Sequence, residues 1–226
     1  MLNYEADPEV LKPHIPAGTE LDLWQGKALM SMVGFMFADT RVLGIRWPFH
    51  VDFEEVNLRF YVRYFDGIDW KRGAVFISEI VPKPAISFIA NTLYKEHYRA
   101  LPMRHTITKI DETKERYTYE WKLKGRWNVL GGDISHFRSA ILPGTPEEFI
   151  LEHYWGYNRV HDKLTTEYQV EHATWQTRKL TNPVLDIDIA ALYGEAFVPY
   201  LSVKPYSAFF AVGSEVIVRD GTKLLF

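Results

Sequence analysis

The sequence contains no cysteine. Disulfides, thiolate nucleophiles and zinc–thiolate sites are thereby excluded, and the composition fits a reducing compartment. Long apolar runs are missing too. The most apolar window, Ala28 to Ala38, is about a third to a half of the length a membrane-spanning helix needs, so no membrane partner is expected. The segment MLNYEADPEV has no basic stretch leading into an apolar one and does not read as a secretory signal, which makes the cytoplasm the expected location. No basic block is long enough to track a phosphate backbone, and the formal net charge is -3. Nucleic acid is therefore not an expected partner. HxH and HExxH spacings are absent, as are GxGxxG and Walker-type loops, so neither a metal nor a nucleotide cofactor is expected. Gly131-Gly132-Asp133 reads as a turn.

What is present is apolar and aromatic. Of the 226 residues 47% are hydrophobic and 15% aromatic, which is incompatible with general disorder. No repeat, low-complexity tract or flexible linker divides the chain, and residues 1–226 read as one domain of mostly antiparallel β-structure with a few helices. Asp7 and Pro8 open a short helix. Leu21 to Trp24 and Lys27 to Phe37 flank Gln25-Gly26 as a hairpin, and ALMSMVGFMF is apolar enough to be covered on both faces. Gly73 to Val81, Arg104 to Ile110, Arg116 to Leu123, Trp127 to Arg138 and Leu164 to His172 are strand-like. Thr145, Pro146 and Glu148 form a capping box for a helix reaching about Glu152. Asn182-Pro183 restarts the chain before a short helix over Asp186 to Tyr193. Ala208 to Val212 and Glu215 to Val218 are expected to pair as a closing hairpin.

The clearest strand is Glu55 to Tyr64. Val56, Leu58, Phe60 and Val62 alternate with Glu55, Asn57, Arg59, Tyr61 and Arg63, so a two-residue period places the sets on opposite faces. The polar set admits two readings, a solvated face or a strip lining a cavity. In the second, Arg59 offers a bidentate fork to an anionic ligand. Asn57 and Tyr61 supply further polar contacts, and Glu55 becomes a general acid or base if burial raises its pKa.

Pro84 opens a helix expected to run to about Tyr98. Ile86, Ile89, Ala90 and Leu93 share one stripe, and Asn91, Tyr94, Lys95 and Tyr98 the opposite one. Two tyrosines beside a lysine on one stripe point to contact with a ligand or with the sheet. Lys95 has the chemistry of an amine nucleophile if a neighbour such as Arg99 lowers its pKa, and is otherwise a solvent-facing lysine.

Two stretches carry a family resemblance. They are His50 to Arg63, HVDFEEVNLRFYVR, and Leu93 to Met103, LYKEHYRALPM, with a weaker echo at Glu171 to Trp175. With these the chain resembles the YqjF-like family, which carries a domain of unknown function and is placed among acetoacetate decarboxylase-like proteins. The resemblance spans roughly Pro8 to Val218. It implies an α+β, mostly β fold: a large, mostly antiparallel barrel-like sheet with peripheral helices, enclosing a cavity. In the true decarboxylases of that superfamily a lysine forms a Schiff base with a keto acid and a neighbouring lysine lowers its pKa. This sequence has no adjacent lysine pair. Three functions follow as alternatives: an enzyme acting on a small acidic or carbonyl-bearing metabolite, a non-catalytic binding or sensor protein, and a structural or assembly protein. Open sheet edges also leave room for a homodimer.

Overall fold

Alternation alone does not explain β5 (Phe53–Phe65). Val56, Leu58, Phe60 and Val62 are wholly buried on one face, yet Glu55, Asn57 and Tyr61 on the other are each at most 3% exposed. The strand is covered on both sides, and the solvated-face reading of its polar set is set aside. The computed structural model describes residues 1–40, 51–89, 91–92 and 97–226. His50, Tyr94 and Lys95 lie outside the described residues.

The strands flanking β5 are β4 (Lys27–Phe37) and β6 (Trp70–Val81), both antiparallel to it. Before them come β1 (Leu2–Ala6), β2 (Glu20–Leu21) and β3 (Leu23–Trp24). After them come β7 (Tyr98–Ala100), β8 (Met103–Asp111), β9 (Lys114–Leu123) and β10 (Arg126–Ala140). The chain continues through β11 (Trp155–His161), β12 (Leu164–His172), β13 (Gln176–Asp186), β14 (Ser207–Ala211), β15 (Val216–Val218) and β16 (Thr222–Leu225). The helices are short: α1 (Pro8–Leu11), α2 (Pro84–Ile89), α3 (Pro146–Leu151), α4 (Ile189–Tyr193) and α5 (Val198–Leu201). Among the described residues none is long and apolar enough to cross a membrane.

One sheet runs in the order β15-β12-β11-β6-β5-β4-β1-β14-β13-β10-β9-β8. It is mostly antiparallel, with parallel pairs where β11 and β7 join β6. The sheet curls so far that β8 returns to β5, where His105 Nδ1 lies 2.7 Å from Glu54 Oε1. β4 is likewise pressed against β9 and β10. A Cβ on Gly34 would stand 2.8 Å from the Tyr119 ring, so only glycine fits there. The inner face holds the main core, with Met32, Leu58, Phe60, Val62, Trp121 and Leu130 among its buried members. Each such large side chain removed from water contributes about 1.5–3 kcal/mol. The barrel is not closed, because β15 and β8, the ends of the path, are not paired with each other. A smaller cluster covers the outer face of β5, where Phe149, Ile150 and Leu151 of α3 pack with Tyr61, Leu29 and Phe209.

Several sequence expectations need correction. The helix opening at Pro84 is α-helical over Pro84–Ile89 and helical again at 91–92, but Tyr98, where it was expected to end, belongs to β7. In α2 Ile86 and Ile89 of the expected apolar stripe are half-buried, and Ser87, which was placed on neither stripe, is buried. Ser87 Oγ donates to the Tyr98 carbonyl at 3.1 Å, tying α2 to β7. Gly131-Gly132-Asp133 is no turn but a register shift inside β10, opposite Asn182-Pro183, which lie within β13. The closing hairpin does not form: β14 pairs with β1 and β13, while β15 pairs with β12. β1, β11 and β16 are strands where none was expected.

Candidate functional site

The buried polar groups of β5 gather at two ends of one face. At the first end Asn57 Nδ2 donates to Glu55 Oε1 at 2.9 Å, and the Tyr98 hydroxyl donates to Glu55 Oε2 at 2.9 Å. Glu79 of β6 is 2% exposed and sits in register with both Asn57 and Tyr98, which brings a second buried carboxylate to the group. The backbone of Tyr98 is clamped by one side chain. Asn91 Nδ2 donates to its carbonyl at 2.9 Å, and its amide donates to Asn91 Oδ1 at 2.8 Å. Glu55, Asn57 and Tyr98 thus come together as the sequence predicted, but Tyr98 arrives from a strand rather than from a helix.

Arg59 and Tyr61 occupy the other end, roughly 13 Å and roughly 20 Å from Glu55 along a strand of ordinary rise. The Tyr61 hydroxyl lies 2.6 Å from Ser31 Oγ, which itself donates to Asn3 Oδ1 at 2.7 Å. Ser31 has one proton, so Tyr61 is the donor to it. Asn3 continues the chain to Ser207 at 2.9 Å. The Tyr61 ring packs against His153, with centroids 4.6 Å apart, and the Arg59 guanidinium carbon lies 5.7 Å from the same ring. Arg59 is partly buried and makes no hydrogen bond or ion pair among the described residues, and its Nε is wholly buried. By contrast Arg63, four residues on, is paired with Glu20 through a 2.7 Å hydrogen bond.

His153 was not singled out by the sequence reading, nor was Asp22. The capped helix α3 delivers the histidine. Thr145 Oγ1 accepts from the Glu148 amide at 3.3 Å, and Glu148 reaches back to the Gly144 amide at 2.7 Å. Phe149 of α3, four residues before His153, lies against its ring at 5.0 Å. That i,i+4 aromatic pair just past a capping box was the available sequence signal. His153 Nε2 donates to Asp22 Oδ2 at 3.1 Å, and Arg72 Nε donates to the same oxygen at 2.6 Å. Burial drives the imidazole down to about 4 against the opposing pull of Asp22, with the charges of Arg72 and Arg59 acting in the same direction as burial. Burial pushes Asp22 up, but the hydrogen bonds from His153 and Arg72 outweigh it and hold the carboxyl below its ordinary value. The Met1 amine donates to the Phe209 carbonyl at 2.8 Å, and burial followed by the Arg59 charge lowers it to about 5.

Two grooves lined by described residues lie elsewhere. One, of about 480 Å³, is bounded by Tyr4, Leu185, Leu201 and Lys204. The other, of about 330 Å³, is bounded by His172, Ser214 and Ile217. Neither includes the polar face of β5. Among the described residues no three His, Asp or Glu side chains are grouped to hold a metal ion.

Solved structures share this architecture. An acetoacetate decarboxylase from Legionella pneumophila subsp. pneumophila str. Philadelphia 1 superposes with a TM-score of 0.58 at 14% identity, over 100% of this chain and 81% of that one. The enduracididine biosynthesis enzyme MppR complexed with pyruvate gives a TM-score of 0.58 at 14% identity, over 99% of this chain and 84% of that one. An acetoacetate decarboxylase-like enzyme from Sphingomonas wittichii RW1 gives 0.56 at 14% identity, over 99% and 86%. At such identities the likeness establishes an acetoacetate decarboxylase-like fold. No curated protein matches the chain. A family model covers residues 1–215, and the chain belongs to that family, DUF2071, an uncharacterized conserved protein family.

Proposed function

We propose that the polar face of β5 binds a small carboxylate-bearing metabolite, with Arg59 as its anchor. The observation carrying this reading is the guanidinium itself. It is partly buried, has no carboxylate partner among the described residues, and keeps Nε out of water without an acceptor. A cation so placed favours an anion that forms the missing bonds. The pyruvate in the complex of MppR is a ligand of this class, on a fold of the same kind.

Catalysis is the further reading of the same face. Glu55 is buried on the same face and suits a general acid or base for a ligand long enough to span the roughly 13 Å from Arg59. Lys95 is the candidate amine nucleophile if a neighbour lowers its pKa, and Asn57, Tyr61, Tyr94 and Tyr98 are the polar lining. A non-catalytic binding protein is the second reading. It is favoured by the fact that both oxygens of Glu55 already accept hydrogen bonds, from Asn57 and Tyr98. A structural role is the least supported, because the polar face is buried rather than a solvated edge.

Isothermal titration with pyruvate tests the anchor. Arg59→Ala is expected to weaken binding by about 2–5 kcal/mol, the cost of truncating a shielded charged contact. An unchanged Kd rejects the role given to Arg59. Native mass spectrometry of the purified protein, before and after denaturation, is expected to reveal a co-purifying acid.

A further inference from the structure

Around the ring of Tyr61 two nitrogens are buried without a hydrogen-bond partner, Arg59 Nε and His153 Nδ1. The guanidinium carbon lies 5.7 Å from the ring centroid and the imidazole centroid 4.6 Å from it. Such groups are costly to bury unpaired, and natural structures rarely leave them so. The two are of opposite kinds. Arg59 Nε–H can only donate. His153 Nδ1 can only accept, because Nε2 carries its proton toward Asp22 at 3.1 Å. Burial and the Arg72 and Arg59 charges keep that imidazole neutral near pH 7, so the Nδ1 lone pair is available.

The neighbouring groups have other commitments. The Tyr61 hydroxyl donates to Ser31. Asp22 Oδ2 receives both Arg72 and His153. The Met1 amine donates to the Phe209 carbonyl. The two nitrogens without any partner are therefore one charged donor and one neutral acceptor against the same aromatic ring. A ligand complementary to the pair carries a carboxylate and a separate hydrogen-bond donor.

We propose that His153 Nδ1 is the second contact of the Arg59 subsite, accepting a hydrogen bond from a hydroxyl on the bound carboxylate, so that the site takes small hydroxy acids ahead of their deoxy counterparts. This inference rests on the reading of Arg59 as a carboxylate anchor. His153 sets specificity there, and Asp22 positions it by fixing its tautomer.

Lactate and propionate differ by the hydroxyl alone and are both anionic at pH 7. NMR titrations are expected to show lactate binding about three- to tenfold more tightly than propionate, the usual worth of one neutral hydrogen bond. In His153→Phe that ratio falls to about one while propionate binding persists. In Arg59→Gln both acids are lost. If neither acid binds the wild type, or if Arg59→Gln binds both undiminished, the anchor itself is wrong and this inference falls with it. If both bind through Arg59 but the ratio is the same in wild type and His153→Phe, only the role of His153 is overturned, and a bridging water is its partner. Should His153→Phe not fold, the wild-type protein still decides. The ¹⁵N resonance of His153 Nδ1 is expected to move toward the hydrogen-bonded position with lactate and not with propionate. An unmoved resonance overturns the proposal.

Discussion

At the scale of single residues burial holds His153 neutral, while Asp22 pulls the other way electrostatically and orients the ring. The pH consequence has a definite sign. The folded protein keeps the imidazole at about 4, below its ordinary 6.5. Between those values the unfolded chain binds a proton that the folded chain does not, so stability falls as pH drops from about 6.5 toward 4. The full effect amounts to roughly 3 kcal/mol. Asp22, whose carboxyl is held below its ordinary value, adds a further loss as it protonates at still lower pH. Urea denaturation of wild type and His153→Phe across this range is expected to give a shallower pH dependence for the variant. Identical slopes would show that His153 is not held neutral. This arrangement was illegible in the sequence. Asp22 and His153 are separated by 131 positions, and no local pattern links a β2–β3 junction to the end of α3. The Glu55, Asn57, Arg59 and Tyr61 set was legible because one strand carries all four at a period of two.

The elements that read correctly were those whose signal is local. β5 announced itself by alternation, β4 by an apolar run with few polar breaks, and α3 by its capping box. α4 was placed within its predicted span, with Asp188 Oδ1 accepting the Ala191 amide at 3.1 Å and Gly194 ending the helix at a φ of 98°. The failures were non-local. β11 has no regular alternation, being broken by Gly156 and Asn158, and is held by pairing with β12 and β6. The partners of β14 and β15 lie far away in the chain, where a turn at Gly213 gives no information. The cap of α3 matters for the site because that helix both covers Tyr61 and delivers His153. Thr145→Ala removes the hydroxyl acceptor and is expected to cost about 1 kcal/mol, visible as a lower urea midpoint with an unchanged slope. If the cap also positions His153, the Nδ1 resonance of that histidine shifts in the same variant.

For the whole molecule, architecture and activity separate. The curled, open sheet matches decarboxylase-like proteins over nearly the entire chain, but at 14% identity that match constrains backbone layers rather than side chains. Schiff-base decarboxylation needs a lysine amine that is neutral near pH 7, and an adjacent lysine is the means the superfamily resemblance implies. The sequence has no adjacent lysines. Lys95 is followed at four positions by Arg99, whose charge could depress an amine only if both side chains turned to the same shielded space. Arg99 is exposed and is in register with Ile80, whereas Tyr98, beside it on β7, is in register with Glu79 on the opposite face of β6. The arginine therefore points away from the buried carboxylates that a keto acid would meet, and it is poorly placed to tune an amine among them. The expected outcome is that purified protein releases carbon dioxide from acetoacetate at the uncatalysed rate, with Lys95→Met indistinguishable from wild type in a coupled carbonate assay. Trapping with borohydride in the presence of pyruvate is expected to leave the protein mass unchanged. Rapid carbon dioxide release abolished by Lys95→Met, or a reduced adduct on that lysine, would overturn the separation and make the face of β5 a decarboxylase site tuned by something other than a second lysine.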